Sequence, residues 1–356
     1  MKNKLEKVLI TGGCGFIGSH TSAILLKQGY QVVIIDSNLN SSPKTIERIS
    51  EILLQEGINT ENRISFYRGD LLDASFVEKV FELEESLGNP IGYVIHFAGL
   101  KSVNESTISP LIYWDTNLVS TINLLKAMQI NNCKNIIFSS SATVYQKQNI
   151  RLIKESDNLN PVNPYGNTKL SIEKLLKDIF VSDATNWRIA CLRYFNPIGA
   201  HPSGLLGEDP SGSPNNIFPL INNVALKQKE FLEVYGNDWN TIDGTCIRDY
   251  IHVMDLSEAH VRTLDLIKVS EPKYLIMNIG TGIGTSVLEL IKTYEEVNNL
   301  KIPFKIAPRR KGDLEVVVAD NSYSYSLLNW KPKLDLKDMC RDGWKWKIQN
   351  PSGYVR

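Results

Sequence analysis

Short apolar runs alternate with amphipathic segments through the first half of the chain. Five runs are rich enough in Val, Ile and Phe for buried strands, at residues 8–10, 31–35, 64–67, 94–97 and 135–138. Between these runs, apolar residues recur every three or four positions, which is the spacing of a helix packed on one face. Strands and helices in this order form right-handed βαβ units and a doubly wound parallel sheet, so the pattern predicts an α/β fold.

Helical spacing predicts helices at about 17–28, 73–87, 117–130 and 165–179. After Asn196 the alternation fades, and a stretch rich in Gly, Pro and Ser at 197–219 marks a change of domain. We therefore expect one domain over 1–196 and a second over 197–356. Within the second domain, Asp255 followed by Glu258 predicts a capping box at a helix start.

A glycine-rich turn, TGGCGFIG at 11–18, joins the first predicted strand to the first predicted helix. Gly12 permits the tight turn, Gly15 lets the backbone approach a pyrophosphate, and Gly18 lets the helix pack close to the strand. Asp36 ends the second predicted strand, 18 residues after Gly18. A carboxylate there can accept hydrogen bonds from an adenosine ribose and repel a 2′-phosphate, so the pattern favours NAD over NADP.

A phenol and an ammonium lie four residues apart at the start of the predicted helix over 165–179. Tyr165 and Lys169 therefore project from one helix face. A neighbouring ammonium favours the phenolate, whose pKa is ordinarily about 10, and can bring that pKa towards the working range. Ser141 lies in the hydroxyl-rich stretch 139–145, where it can bond a reacting alcohol or ketone. The three side chains predict acid–base chemistry at an alcohol or carbonyl group.

Two further strand ends carry candidate cofactor contacts. Asp70 follows the third predicted strand, where its carboxylate can accept a hydrogen bond from an adenine amine. The turn at 98–101 is rich in small residues that let a cofactor approach the backbone. It ends in Lys101, which is placed for a nicotinamide ribose.

The chain of 356 residues carries 39 basic and 39 acidic side chains, so its formal net charge is zero. No basic excess indicates nucleic acid as a partner. No apolar run is long enough to span a bilayer and the N-terminus lacks a signal-peptide pattern, so we expect no membrane partner and a cytoplasmic location. The five cysteines include no C-x-x-C pair and the five histidines lack ligand spacing, so we expect a reducing compartment and no metal site.

Together, the glycine turn, Asp36, Ser141 and the Tyr165/Lys169 pair resemble the extended short-chain dehydrogenase/reductase family, which has a Rossmann domain. Further stretches narrow the resemblance to the UDP-glucose/UDP-galactose 4-epimerases. They are HFAGLK at 96–101, SSSATVY at 139–145, RYFNP at 193–197, GAHPSG at 199–204, PNN at 214–216, GTCIRDYIHV at 244–253 and RRKGD at 309–313. The resemblance covers almost the whole chain.

This resemblance implies an NAD-dependent isomerase that inverts C4 of UDP-hexoses through a 4-keto intermediate. It implies that Tyr165, Lys169 and Ser141 are catalytic and that a smaller C-terminal α/β lobe binds the UDP-hexose. It also implies that about 244–270 returns to the Rossmann sheet. A homodimer is implied too, joined through two helices per subunit, around 117–130 and 165–180.

The resemblance also implies two sets of binding residues. Cofactor-binding positions match Gly12, Gly15, Phe16, Ile17, Gly18, Asp36, Asn38, Asn40, Ser41, Asp70, Leu71, Phe97, Ala98, Gly99, Lys101, Asn117, Ser139, Tyr165, Lys169 and Phe195. Substrate-binding positions match Ser141, Tyr165, Asn196, Asn216, Arg248, Arg310, Asp313 and Val317. The two arginines suit a pyrophosphate, because a planar guanidinium bonds its oxygens in pairs.

Val317 carries a prediction about specificity. The resemblance implies that a tyrosine at this position fills the space that an N-acetyl group needs. Valines also flank Val317, so no aromatic side chain occurs there even if the register slips by one residue. We therefore predict that N-acetylated UDP-hexosamines are interconverted alongside the plain sugars. The alternative is that Tyr323 or Tyr325 closes the sugar pocket from a neighbouring segment.

Two other functions stay open from the sequence. One is a nucleotide-sugar 4,6-dehydratase or decarboxylase of the same family. Dehydratases carry Asp-Glu where Ser141 and Ala142 stand here, and 139–145 contains no carboxylate, which argues against that chemistry. The other is a non-catalytic NAD-binding regulator, which would not need the Tyr165/Lys169 pair together with pyrophosphate arginines.

Overall fold

The computed structural model describes residues 5–146, 152–212, 214, 216–310 and 313–354. Position 215 of the PNN stretch and positions 311 and 312 of the RRKGD stretch lie outside the described residues. The strands are β1 (Lys7–Thr11), β2 (Gln31–Asp36), β3 (Ile64–Arg68), β4 (Tyr93–His96), β5 (Asn135–Ser141), β6 (Arg188–Tyr194), β7 (Asn196–Ile198), β8 (Leu232–Tyr235), β9 (Ile247–His252), β10 (Lys273–Ile279), β11 (Gly284–Ser286), β12 (Phe304–Ala307) and β13 (Val316–Val317).

The α-helices alternate with these strands through the first part of the chain. They are α1 (Phe16–Lys27), α2 (Lys44–Gln55), α3 (Ala74–Ser86), α4 (Val103–Ile108), α5 (Pro110–Trp114), α6 (Ser120–Ile130), α7 (Pro164–Ser182), α8 (Ile217–Ala225), α9 (Val253–Val269), α10 (Val287–Asn298), α11 (Ser322–Leu328) and α12 (Leu336–Gln349). A π-helical turn, Asp115–Val119, joins α5 to α6.

A parallel sheet of seven strands forms the centre of the molecule, in the order β10-β6-β5-β4-β1-β2-β3. Val8 of β1 pairs with Val32 of β2 on one side and with Tyr93 of β4 on the other. The strand order therefore reverses beside β1, which opens a crevice at the carboxyl ends of the strands. The predicted doubly wound α/β fold is confirmed.

Both faces of this sheet are buried, which explains why its strands are apolar throughout. Val8 and Ile10 enter a core shared with α1, α2 and α9, whereas Leu9 enters a second core shared with α3, α6 and α7. Side chains alternate across a strand, so each strand supplies both cores. This burial holds the strand ends, and the loops that follow them, in fixed positions.

Two smaller sheets form the C-terminal lobe. In one of them, β9 is flanked by β11 and β13 and also pairs with β7, and in the other β12 pairs with β8. A separate apolar core that includes Phe218, Ile221 and Tyr294 joins α8 and α10 to these strands. The lobe is therefore a smaller α/β unit with its own interior.

The segment expected to return to the Rossmann sheet, about 244–270, divides between the two parts of the molecule. β9 joins the small sheet, and α9 packs against α1, β5 and β6. The strand that rejoins the main sheet is β10, which pairs with β6 immediately after α9. The local apolar pattern does not distinguish these partners, because both strands are short and buried.

The helix predicted at 117–130 is not a single α-helix. α4 and α5 precede it, and Asn117 lies in the π-helical turn before α6. Apolar spacing cannot reveal such a turn, since one extra residue per turn only shifts the phase of the pattern.

The predicted capping box at Asp255 is wrong. α9 begins two residues earlier, where His252 Nδ1 accepts a hydrogen bond from the N–H of Met254 at 3.1 Å. The Asp255 carboxylate instead accepts the backbone N–H groups of Lys333 and Leu334 at 3.0 and 2.9 Å. Asp255 therefore ties α9 to the segment before α12.

No helix among the described residues has the length and apolarity needed to cross a bilayer. Within the same residues, no group of three His, Cys, Asp or Glu side chains is arranged to hold a metal ion. All five cysteines are buried and free.

Candidate active site

A cleft of about 1420 Å³ opens at the carboxyl ends of the parallel strands and extends into the C-terminal lobe. Almost every residue predicted to bind cofactor or substrate lines it. The exceptions are Asn38, Asn117 and Val317. The structure therefore brings together side chains that the sequence places more than 300 residues apart, from Gly12 to Asp313.

The glycine turn leaves the backbone open at one end of the cleft. Gly12 has a φ of +70°, and a Cβ there would lie 2.8 Å from the backbone nitrogen of Ala98. A Cβ on Gly18 would lie 2.4 Å from the carbonyl oxygen of Gly12. Within the part of the chain that the structure describes, no side chain caps α1, whose first turn faces the cleft. These free N–H groups and the positive end of the helix suit a pyrophosphate.

Asp36 organises the loops beside the glycine turn. One carboxylate oxygen accepts the backbone N–H of Cys14 at 2.9 Å. The other accepts the N–H of Asn38 at 2.9 Å and the hydroxyl of Ser41 at 2.7 Å. Asn38 has a φ of +57° and donates its side-chain amide to Ser41, so it shapes the loop without lining the cleft. The Asp36 carboxylate itself remains at the cleft wall.

Tyr165 and Lys169 enter the cleft from the first turns of α7. Asn163 caps this helix by accepting the N–H of Gly166 at 2.8 Å, and Pro164 occupies its first position. The Lys169 ammonium lies 5.8 Å from the centre of the Tyr165 ring and donates to the carbonyl of Ser139 at 2.8 Å. The spacing of the sequence motif thus places both groups beside the end of β5.

Burial controls the acidity of both groups. It raises the pKa of Tyr165 to about 12, and a hydrogen bond with Ser141 offsets part of this effect. Burial also lowers the pKa of Lys169 to about 8. The expectation that the ammonium would depress the phenol pKa is not met by these side chains alone. The physical reason is that loss of hydration outweighs the other contributions.

Asn117 acts behind the cleft wall. Its side-chain oxygen accepts the N–H of Leu100 at 2.7 Å, and its amide donates to the Leu100 carbonyl and to Thr168 Oγ1, each at 3.1 Å. Asn117 therefore joins the 98–101 turn to α7, and its link to a cofactor stays a prediction.

The far end of the cleft carries the predicted arginines. Arg248 donates to the carbonyls of Ile247 and Leu314, each at 2.8 Å. Arg310 lies over the Tyr235 ring, 4.7 Å from its centre, and forms an ion pair with Asp313 at 3.0 Å. Both arginines line the same cleft as Tyr165 and Lys169, and two cations there suit the charge of a nucleotide diphosphate.

Sequence reasoning missed several polar residues of the cleft wall, among them Glu208 and Tyr194. Glu208 forms an ion pair with Lys101 at 2.8 Å and so connects the C-terminal lobe to the 98–101 turn. The Tyr194 hydroxyl donates to the Ser139 side chain, and burial raises the Tyr194 pKa. Tyr194 could have been found in the RYFNP stretch, but nothing local marks Glu208.

Val317 lies on β13, where it is the register partner of Arg248. Its side chain packs against a cluster that contains Val144 and Phe195. Phe195 lines the cleft, whereas Val317 itself stands one layer behind. The role of Val317 in substrate choice remains a prediction.

The structure combines a Rossmann domain, which carries a Tyr-x-x-x-Lys pair at its strand ends, with a lobe that places two arginines in the cleft. This combination defines a short-chain dehydrogenase/reductase that acts on nucleotide sugars. Residues 9–343 match the family model described as GDP-mannose 4,6 dehydratase. UDP-glucose 4-epimerase 2 of Arabidopsis thaliana is 46% identical over 352 residues, which cover 98% of this chain and 97% of that protein.

Two further comparisons agree. The UDP-glucose 4-epimerase of Bacillus subtilis (strain 168) is 45% identical, and the match covers 98% of each chain. The crystal structure of the Bifidobacterium longum UDP-glucose 4-epimerase, in complex with NAD+ and UDP, superposes with a TM-score of 0.90 at 45% identity. It covers 98% of this chain and 100% of that one. The chain belongs to the UDP-glucose 4-epimerase family.

Proposed function

We propose that this protein is an isomerase that interconverts UDP-galactose and UDP-glucose by inverting C4 of the sugar, with NAD as a bound cofactor. The observation that carries the proposal is one cleft lined both by Tyr165, Lys169 and Ser141 and by Arg248 and Arg310. The first group offers acid–base chemistry for a sugar hydroxyl, and the second offers cations for the diphosphate.

Each residue of the proposed catalytic group has its own role. Tyr165 removes the proton of the C4 hydroxyl and later returns it, while Ser141 hydrogen-bonds the same oxygen. Lys169 keeps a positive charge beside the phenol. Bound NAD+ would supply the hydride acceptor and donor for C4, and the glycine turn and Asp36 are the residues that would hold it. Inversion requires the sugar to turn, so a firm hold on the diphosphate and a loose hold on the sugar favour it.

The cofactor preference follows from Asp36. Its carboxylate stands at the cleft wall beside the glycine turn and would repel a 2′-phosphate. Lack of a carboxylate at 139–145 disfavours the dehydratase alternative, because elimination needs a further acid–base pair. N-acetylated UDP-hexoses are a proposed second substrate pair.

We also propose a homodimer in the cytoplasm. Ile108, Leu111 and Ile112 on α4 and α5 are 81%, 82% and 57% exposed and form an apolar ridge with Val119. A second copy would cover this ridge, which borders the helices expected at the interface. Light scattering should then give twice the mass of one chain. The five free cysteines support a reducing compartment.

The decisive experiment is incubation of the purified protein with UDP-galactose and no added NAD+, followed by chromatography of the nucleotide sugars. We expect UDP-glucose to form, and acid extraction to release NAD(H) and not NADP(H). A protein that leaves UDP-galactose unchanged, even when NAD+ is supplied, would contradict the proposal.

A further inference from the structure

A buried ion pair lies directly behind the active-site helix. Glu173 follows Lys169 by one turn on α7, and it is 2% exposed. Its carboxylate accepts Arg193 Nε at 2.9 Å and Arg193 Nη2 at 2.6 Å. It also accepts the hydroxyl of Ser140 at 2.5 Å. Glu173 does not line the cleft, so its carboxylate stands behind the reacting groups.

The partners of Glu173 belong to the strands that carry the reaction site. Ser140 of β5 and Arg193 of β6 are register partners. Ser140 stands between Ser139, whose carbonyl accepts the Lys169 ammonium, and Ser141. The carboxylate therefore holds α7 against the strand ends at the level where the reacting groups meet.

The same carboxylate supplies the negative charge nearest to the buried ammonium. Burial lowers the pKa of Lys169, and the charge of Glu173 raises it. On β4, His96 faces the ammonium, but burial holds its imidazole neutral with a pKa of about 3. On β6, burial keeps the Tyr194 phenol neutral by raising its pKa. Ser139 of β5 offers only a neutral carbonyl.

We propose that Glu173 is a positioning residue for the epimerase reaction: anchored by Arg193 and Ser140, its carboxylate keeps Lys169 protonated and holds α7 in place against β5. The inference rests on the functions proposed above for Tyr165 and Lys169. A buried ion pair is a poor source of stability, because desolvation of both charges offsets their attraction. Because the Glu173–Arg193 pair lies beside the Lys169 ammonium, we assign it the role of keeping that ammonium charged and not that of stabilising the fold.

A second buried pair provides a matched control. Lys7 of β1 and Glu84 of α3 are 6% and 0% exposed and also form an ion pair at 2.5 Å. This pair lies at the opposite end of the sheet, near the start of β1, and Glu84 does not line the cleft. Glu84→Gln therefore removes a comparable buried charge without touching the surroundings of Lys169.

The test is the pH profile of kcat for the purified holoenzyme with UDP-galactose. For Glu173→Gln we expect the midpoint of the alkaline limb to fall by about one pH unit, the low end of the contribution of a neighbouring opposite charge. KM for UDP-galactose should stay unchanged, because the Glu173 carboxylate bonds Ser140 and Arg193 and not the arginines proposed to hold the diphosphate. Glu84→Gln should leave the midpoint in place, since it retains the Glu173 charge.

A second readout does not depend on turnover. The ε-¹³C signal of Lys169, assigned with Lys169→Arg, should titrate at lower pH in Glu173→Gln than in the wild-type protein. If Arg193, left unpaired, prevents folding, the double variant Glu173→Gln/Arg193→Met replaces the single one, with a smaller fall expected because the positive charge of Arg193 is removed as well. An unmoved midpoint and an unmoved titration in a folded variant would overturn the proposal. Lack of turnover in the wild type would overturn the proposed function alone, because the titration still decides the role of Glu173.

Discussion

Tyr165 and Lys169 lie four residues apart on α7, yet the ammonium donates to the carbonyl of Ser139 and not to the phenol. Burial raises the pKa of Tyr165 to about 12, so the chain alone keeps the phenol protonated at neutral pH. The protonated Lys169 and the positively charged nicotinamide ring of bound NAD+ would then be the charges that favour the phenolate. The sequence predicts the two groups and their shared face, but it cannot predict how strongly folding dehydrates them.

The sequence also predicts the position of residues whose role depends only on their chemistry and on their neighbours along the chain. Asp36 ends a strand after a glycine turn, so its place at the cleft wall follows from local order along the chain. Glu208 and Glu173 instead form ion pairs with Lys101 and Arg193, which lie on other elements of the fold. No local pattern marks such residues, because the partner is set by tertiary packing.

Replacing the proposed base tests the residue-scale account. Tyr165→Phe keeps the ring and removes the hydroxyl, so kcat with UDP-galactose should fall by about 10² to 10⁴, the usual cost of losing a general base. KM should change little, because the diphosphate is held elsewhere. Tyr93→Phe, at the amino end of β4 and outside the cleft lining, is the control and should behave as wild type. Steady-state kinetics that leave Tyr165→Phe with more than a tenth of wild-type kcat would rule out its role.

At the scale of elements, the first five strands could be predicted because each is a complete apolar run between turn residues. The pairing of β9, β11 and β13 could not, since strands of two to six residues carry no signal that identifies a distant partner. α4 and α5 were missed for the same reason: helices of six and five residues are too short for a periodic pattern. The sequence therefore predicts the Rossmann domain better than the C-terminal lobe.

The short strand β13 carries the specificity prediction. Val317 pairs with Arg248 and packs on the layer that contains Phe195, so a larger side chain there would press on the cleft wall. We expect UDP-N-acetylglucosamine and UDP-N-acetylgalactosamine to be interconverted with kcat/KM ratios to the plain sugars near unity. Val317→Tyr should suppress only the N-acetylated reaction.

Val316→Tyr is the matched control, because adjacent side chains on a strand point to opposite faces. It should not discriminate between the two substrate pairs. Both pairs are measured by chromatography under identical conditions. The role of Val317 in substrate choice would be refuted if Val317→Tyr lost kcat/KM equally on both substrate pairs, or if the wild type were inactive on the acetylated pair. Tyr323 or Tyr325 would then remain as the residue that closes the pocket.

At the scale of the whole molecule, burial of histidines couples folding to pH. Burial lowers the pKa of His20 and His96 to about 3 and that of His201 and His260 to about 4, from an ordinary value of 6.5. These histidines lie on α1, β4, the C-terminal lobe and α9, so their lowered pKa values depend on the folding of the whole molecule. Sequence alone gives five ordinary histidines and no sign of this coupling.

The consequence for stability has a definite sign. Below pH 6.5 each of these histidines binds a proton in the unfolded chain but not in the folded one. The free energy of unfolding therefore has its full value above pH 6.5 and falls as the pH decreases. Between pH 7 and 5 the loss is about 2 kcal/mol for each histidine. Buried carboxyls with raised pKa values, such as Asp249 and Asp255, act in the opposite direction at lower pH.

A single variant isolates the histidine contribution from that of the carboxyls. His260 packs between Phe97 and Tyr194, with ring centres 4.7 and 5.5 Å away, so His260→Phe keeps an aromatic ring in the same core. Urea unfolding at pH 7 and pH 5 should show that the variant loses about 2 kcal/mol less than the wild type over this interval, because one proton-binding site has been removed from the unfolded chain. The difference is independent of Asp249 and Asp255, which are present in both proteins. Equal losses in variant and wild type would mean that His260 binds its proton as readily in the folded state as in the unfolded state.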